Sequence, residues 1–196
     1  MTGRPSSSGP SLAIVPAAGK GERFGGAKLV AEIGGRPMLD RTVASLLDAG
    51  IDRVVVVIAP EVRGQFAGVA ALGDARVSVA INPAPARGMF SSILVGLASG
   101  EGDPILVLPG DMPFVRAGTV KLLAERCLAT GRVVTPRHGA SRGHPAALPG
   151  RLRTALLDAD PFWNLSAWFA AQAPDRLSID VDDPGVIRDV DRPGDI

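Results

Sequence analysis

The sequence predicts a single α/β domain built on a mostly parallel sheet with helices on both faces. Three observations carry this. Short β-branched runs alternate with stretches whose apolar residues recur at helical spacing. The chain has 196 residues, 46% of them hydrophobic, which is enough to bury one full core. No internal repeat and no linker-like shift in composition divides it, so residues 11–196 are expected to form one domain. Repeated βα units require right-handed crossovers, and these place helices on both faces of parallel strands.

Taken in order, residues 1–10 are rich in Ser, Gly and Pro and are expected to be a disordered lead-in. Leu12-Ala-Ile-Val15 reads as the first buried strand and Pro16 to Lys28 as a turn-rich loop. Met38, Leu39, Val43, Leu46 and Leu47 mark one helix face that stops at Gly50. Arg53 to Ile58 follows as a central strand, its unbroken apolar run suited to burial on both faces. Val62, Phe66 and Val69 predict a second helix, Arg76 to Ile81 a third strand and Met89 to Ala98 a third helix. A fourth strand, Ile105 to Leu108, and a fourth helix over about 116–129 come next, and Arg132 to Thr135 continues the alternation. Trp163, Trp168 and Phe169 have helix-compatible spacing and read as packing.

Composition excludes several classes of function. Net charge is +1, from 21 basic and 20 acidic residues, and no basic patch marks a footprint for a nucleic-acid polymer or a membrane. The longest aliphatic run, Val54 to Ala59, is far too short to span a bilayer. The apolar stretch after Arg4 breaks into charge at Lys20, so it reads as a strand and not as a signal peptide. Cys127 is the only cysteine and lies in an apolar helical pattern, which reads as a buried thiol in a reducing, cytoplasmic setting.

Ligands of open parallel sheets bind at the carboxyl ends of the strands, where strand order reverses. Three polar loops leave strands at that edge: Pro16 to Lys28, Asn82 to Ser92, and Pro109 to Pro113. The first packs four glycines and the cations Lys20, Arg23 and Lys28 into one segment, which suits a phosphate: glycines let N–H groups approach and the cations neutralise charge. Neither the Walker loop nor the dinucleotide fingerprint fits its spacing. Asp111 follows a strand between Gly110 and Pro113, where its carboxylate suits a hard cation such as Mg²⁺, or equally a helix cap or turn. Asp189 and Asp191 share one face of a segment expected to be extended, within a tail that is acidic throughout.

Several of these segments carry a resemblance. Ala17-Ala-Gly-Lys-Gly-Glu-Arg23-Phe-Gly-Gly-Ala-Lys28 resembles the signature of the molybdenum cofactor cytidylyltransferase-like nucleotidyltransferases and their guanylyltransferase relatives. Asn82-Pro with Gly88-Met-Phe-Ser-Ser92, Leu108-Pro-Gly-Asp-Met-Pro113, Arg142-Gly-His-Pro145 and Asp189-Val-Asp-Arg-Pro-Gly-Asp195 follow in the same order. The resemblance runs from Leu12 to Ile196 and implies a Rossmann-like αβα sandwich of the nucleotide-diphospho-sugar transferase type. It implies transfer of CMP from CTP, or GMP from GTP, to a small phosphorylated acceptor of the molybdopterin type, with release of pyrophosphate. Under it, Ala17, Ala18 and Gly19 would hold the base, with Asn82 and Ser92 near the nucleoside. Arg23 and Lys28 would stabilise the triphosphate, and Asp111, with Asp191 or Asp189, would hold Mg²⁺. Arg142 and His144 would face the acceptor. Transient contact with a molybdoenzyme or a cofactor-handling protein follows from the same resemblance.

Three details bear on specificity. Ala17-Ala18-Gly19 is similar to the cytidylyl version of the motif, Ala-Ala-Gly, and not to the guanylyl Ala-Gly-Gly. Pro109-Gly-Asp-Met-Pro113 departs from the Asp-Ala-Ala-Arg-Pro of methylerythritol phosphate cytidylyltransferases. Where relatives carry Gly-Asp-x-Gly-Ala-Arg, this chain has Ala159-Asp160-Pro-Phe-Trp-Asn164, so an anion-pairing arginine has become Asn164 and a glycine Phe162. That departure keeps open an oxidoreductase on the same scaffold, similar to one that reduces a nicotine-derived blue pigment, with a flat substrate stacked on Phe162 or Trp163.

Overall fold

The computed structural model of the protein describes residues 9–19, 24 and 28–196. Among these residues, ten strands and five α-helices form in the order β1 (Leu12–Ala17), β2 (Glu32–Ile33), β3 (Arg36–Pro37), α1 (Met38–Asp48), β4 (Arg53–Ile58), β5 (Val77–Ile81), α2 (Met89–Ala98), β6 (Ile105–Val107), α3 (Ala117–Thr130), β7 (Val134–His138), β8 (Ser141–Arg142), β9 (Ala146–Leu148), α4 (Arg153–Leu157), α5 (Leu165–Gln172) and β10 (Leu177–Asp180). β2 and β3 make a separate antiparallel hairpin. The main sheet has the order β10-β7-β9-β6-β1-β4-β5, with β8 paired to β7. β6, β1, β4 and β5 are parallel to one another, as are β7 and β10, while β9 runs antiparallel between β6 and β7. The sheet is therefore mostly parallel and carries helices on both faces, as expected for an αβα sandwich.

Alternation of side chains along each strand divides the core in two. Ala13, Val15, Val54, Val56 and Leu106 pack with Leu39, Val43 and Leu46 of α1 and Val120 and Leu123 of α3. Leu12, Ile14, Val55, Val57, Ile105 and Val107 pack with Phe90, Ile93 and Leu97 of α2 and with Leu156, Leu165, Trp168 and Phe169 of α4 and α5. A central strand buried on both faces needs no polar alternation, which is why Val54 to Ile58 reads as one apolar run. Trp168 and Phe169 pack edge to face at 5.9 Å, in keeping with a packing role. Cys127 is fully buried, and burial pushes its thiol up to about 12. No helix among the described residues is long and apolar enough to cross a membrane.

Two expectations change. Residues 60–73 form 3₁₀ turns, Pro60–Gly68 and Ala70–Gly73, instead of a second α-helix. Phe66 and Val69 are buried as their spacing requires, but Gly64, Gly68 and Gly73 each cost about 1 kcal/mol in an α-helix relative to alanine. The Asp189–Asp191 segment belongs to no strand; Val190 is buried instead, its N–H donating to Asp111 O at 3.0 Å. The lead-in over residues 1–8 lies outside the described residues, while Pro10 O accepts from Asp103 N at 3.0 Å.

The acidic tail also builds the start of α3. Asp183 is 2% exposed, and its Oδ2 accepts from Arg116 N at 3.0 Å and Thr119 Oγ1 at 2.6 Å while Oδ1 accepts from Gly185 N at 3.0 Å. Removing this carboxylate strands three donors away from water. Asp183→Ala is expected to cost about 2–4 kcal/mol of stability. A urea-denaturation midpoint equal to that of the wild type would contradict it.

Candidate active site

From β1 the chain moves outward through β4 and β5, then returns as β6 on the other side of β1. The reversal separates the loops that leave β1 and β6, and a crevice opens at their carboxyl ends. Ala17-Ala18-Gly19 leaves one strand and Pro109-Gly110-Asp111 follows the other. Gly110 N donates to Pro16 O at 3.0 Å, and Thr42 Oγ1 of α1 donates to Gly110 O at 3.0 Å. A Cβ on Gly110 would meet Leu39 Cδ1 at 3.2 Å and Pro16 O at 3.3 Å, so glycine permits this close seam. Asp111 is thus fixed by its backbone, with its side chain directed to the crevice. It does not cap α3, whose N-cap residue is Arg116.

Lys28 joins the site from the far end of the glycine loop. Its Nζ donates to Asp111 Oδ2 at 2.9 Å and to Asp191 Oδ1 at 2.7 Å, with only 11% of the side chain exposed. Burial opposes its charge, but the hydrogen bonds and attraction of the two carboxylates outweigh burial and raise its pKa. Among the described residues, no group of three His, Cys, Asp or Glu side chains is arranged to hold a metal ion. The donor set nevertheless fits a hard divalent cation: two carboxylates already share one positive charge, and Mg²⁺ takes one or two carboxylates and completes its shell with water and phosphate oxygens. Asp189 lines a hollow with Asp111, Arg142 and His144.

The cleft on the β1 side is lined by Ala18, Gly19, Gly88, Met89, Ser92 and Asp111. Ala17 and Ala18 are 3% and 6% exposed, so they would contact a ligand mainly through backbone groups. Gly88, at φ 90°, turns the chain into α2 through a conformation that disfavours any side chain. Asn82, expected near the nucleoside, lies beneath this cleft. It is 1% exposed, its Nδ2 donates to Ser91 Oγ at 2.9 Å and Ser92 Oγ at 3.0 Å, and its Oδ1 accepts from Ala84 N at 2.9 Å. It braces the loop from beneath and aims Ser92. Arg23, expected at the triphosphate, lies outside the described residues.

On the other side, Arg142 and His144 border the hollow that reaches Asp111. Arg142 is exposed and its Nε donates to Ser178 Oγ at 3.1 Å. His144 N donates to Val186 O at 2.8 Å, and its ring Nδ1 is sealed from water with no hydrogen-bond partner. Burial lowers the His144 pKa, against the opposing pull of the Val107 carbonyl, Asp111 and Asp189, so the ring is neutral near pH 7. Phe162 is 74% exposed beneath the Arg87 guanidinium, and Trp163 borders a separate hollow with Asp158, Asp160 and Trp168. Sequence reasoning missed Arg176 and Met89, which line the same run of hollows. An arginine in an acidic tail reads as charge balance, and a methionine opening an apolar helix reads as core.

Strand order, crevice and charge cluster together define an α/β domain with a charged site at its switch point. The model of the MobA-like NTP transferase domain matches residues 13–174, and the chain belongs to that family. It is 35% identical over 114 residues to a probable molybdenum cofactor guanylyltransferase of Haloferax mediterranei, covering 58% of this chain and 53% of that one. It is 33% identical over 131 residues to the bifunctional protein GlmU of Trichlorobacter lovleyi, covering 64% of this chain and 27% of that one. The chain therefore spans about half of the first relative and about a quarter of the second. Its fold matches the solved structure of a nucleotidyl transferase from Methanothermobacter thermautotroptrophicus with a TM-score of 0.78 and 24% identity, over 95% of this chain and 94% of that one.

Proposed function

We propose that the protein is a nucleotidyltransferase that moves CMP from CTP to a phosphorylated acceptor of the molybdopterin type and releases pyrophosphate. The observation that supports it most is the junction of Lys28 with Asp111 and Asp191 at the switch point, beside the Ala18–Gly19 strand end. In this reaction an acceptor phosphate oxygen bonds to the α-phosphorus as the bond from that phosphorus to the departing pyrophosphate breaks. Charge spreads over phosphoryl oxygens, so positioning and electrostatics supply the catalysis and no side-chain nucleophile is required. Mg²⁺, held by Asp111 and Asp191 with Asp189 on the same hollow, would act as a Lewis acid worth several kcal/mol. Lys28, and Arg23 by resemblance, would offset charge on the triphosphate and on the leaving pyrophosphate. Ala17 to Gly19 would hold the base through the backbone, and Ser92, aimed by Asn82, would meet the nucleoside. His144, neutral, would form part of the wall against which the acceptor lies.

The Haloferax mediterranei relative makes GTP the competing nucleotide. CTP is preferred here on the strength of Ala17-Ala18-Gly19. We expect a lower dissociation constant for CTP than for GTP in Mg²⁺ buffer by calorimetric titration, and equal or reversed constants would contradict the cytidylyl reading. Phe162 and Trp163, the stacking residues of the oxidoreductase alternative, border none of the three hollows around Asp111 and Arg142.

A further inference from the structure

Beyond Arg142 lies a further hollow of about 280 Å³. Leu165 and Phe169 of α5 supply an apolar wall, and Arg142, His144 and Arg176 are among its polar groups. Among the described residues neither arginine pairs with a carboxylate. Arg142 Nε donates to a serine hydroxyl, Ser178 Oγ, and the Arg176 guanidinium stands 5.5 Å from the centre of the Phe169 ring. Nearby acids are already committed: Asp175 to Arg132 at 3.0 Å and Asp180 to Arg137 at 2.6 Å.

Two guanidiniums in one half-buried hollow repel each other. Burial first, and then the Arg142 charge, lowers the pKa of Arg176. An anion between them would relieve both effects, and the guanidinium fork suits the two oxygens of a carboxylate or phosphate. His144 borders both this hollow and the one that reaches Asp111, and its buried Nδ1 has no hydrogen-bond partner among the described residues. The two hollows share Met89, Arg142, Gly143 and His144 as walls, with Asp111 in one and Arg176 in the other.

We propose that Arg142 and Arg176 form an oxyanion subsite, so that the acceptor carries an apolar or ring-shaped body with an anionic group remote from the group that reacts beside Asp111. The word acceptor rests on the nucleotidyl-transfer reading, whereas the subsite rests on the hollow alone. Arg176 takes up a charge role next to Asn164, whose own side chain is spent on accepting from Ala167 N at 2.8 Å at the start of α5.

The test is titration of phenyl phosphate, benzoate and benzyl alcohol into the whole protein, followed by backbone amide and arginine Nε chemical shifts. Phenyl phosphate and benzoate should perturb Arg142, Phe169 and Arg176, and the tighter of the two identifies phosphate or carboxylate as the preferred oxyanion. Benzyl alcohol should bind roughly tenfold or more weakly, because it lacks a charge-assisted partner. Arg176→Gln should weaken phenyl phosphate by about tenfold or more while leaving CTP affinity unchanged, and Arg176→Lys should recover part of the loss. Equal binding of benzyl alcohol, or unchanged phenyl phosphate affinity in Arg176→Gln, would overturn the subsite. If the wild type binds phenyl phosphate through Arg176 but does not bind CTP, the nucleotidyl-transfer reading fails and the subsite stands.

Discussion

Asp111→Asn is expected to abolish magnesium-dependent pyrophosphate release and to leave the protein folded. Asparagine keeps the size of the side chain and removes the charge a divalent cation requires. The fold should survive because Asp111 is held through its backbone, with Val190 N donating to its carbonyl at 3.0 Å and Gly110 N anchored on Pro16 O at 3.0 Å. Lys28 would keep its bond to Asp191, at 2.7 Å in the native chain. Turnover and thermal unfolding measured side by side separate the cases. Wild-type turnover would end the metal assignment, and an unfolded variant would make Asp111 a structural residue.

Lys28→Ala is expected to slow the chemical step on the order of 10²-fold or more, as loss of a transition-state charge partner often does. The structure adds a second, opposite effect. The Lys28 ammonium lies against both carboxylates, at 2.9 and 2.7 Å, and so competes with any cation for them. The variant should therefore bind Mn²⁺ more tightly than the wild type when no nucleotide is present. Single-turnover rates near wild type would remove Lys28 from catalysis, and weaker Mn²⁺ binding would show that the lysine supports the carboxylates instead of occupying their site.

How much of this was legible in the sequence depends on whether local chemistry decided the outcome. Arg53 to Ile58 and Met89 to Ala98 form the elements their patterns require, because double-sided burial and helical spacing leave little choice. The 60–73 segment defied its apolar spacing, since three glycines weigh against an α-helix while the core still takes Phe66 and Val69. Strand order was not legible: nothing local to Ala146–Leu148 marks it as an antiparallel insertion between β6 and β7. At the site, Asp111 and Lys28 were visible from their loops, and the structure brings them together across 83 positions of sequence. Asn82 lay in the right loop, yet only the fold shows both amide hydrogens spent on Ser91 and Ser92. Arg176 carried no local signal, because its role depends on Arg142 lying across a hollow from it.

The location of the nucleotide is tested most directly by titrating Mn²⁺ with CTP into the wild-type protein and recording which backbone amides broaden through the paramagnetic ion. Broadening centred on Ala18, Gly19, Asp111, Asp189 and Asp191, requiring nucleotide and metal together and lost in Asp111→Asn, is the predicted result. Broadening centred elsewhere, or a pattern that persists unchanged in Asp111→Asn, would contradict a nucleotidyl-transfer site at the β1–β6 switch point.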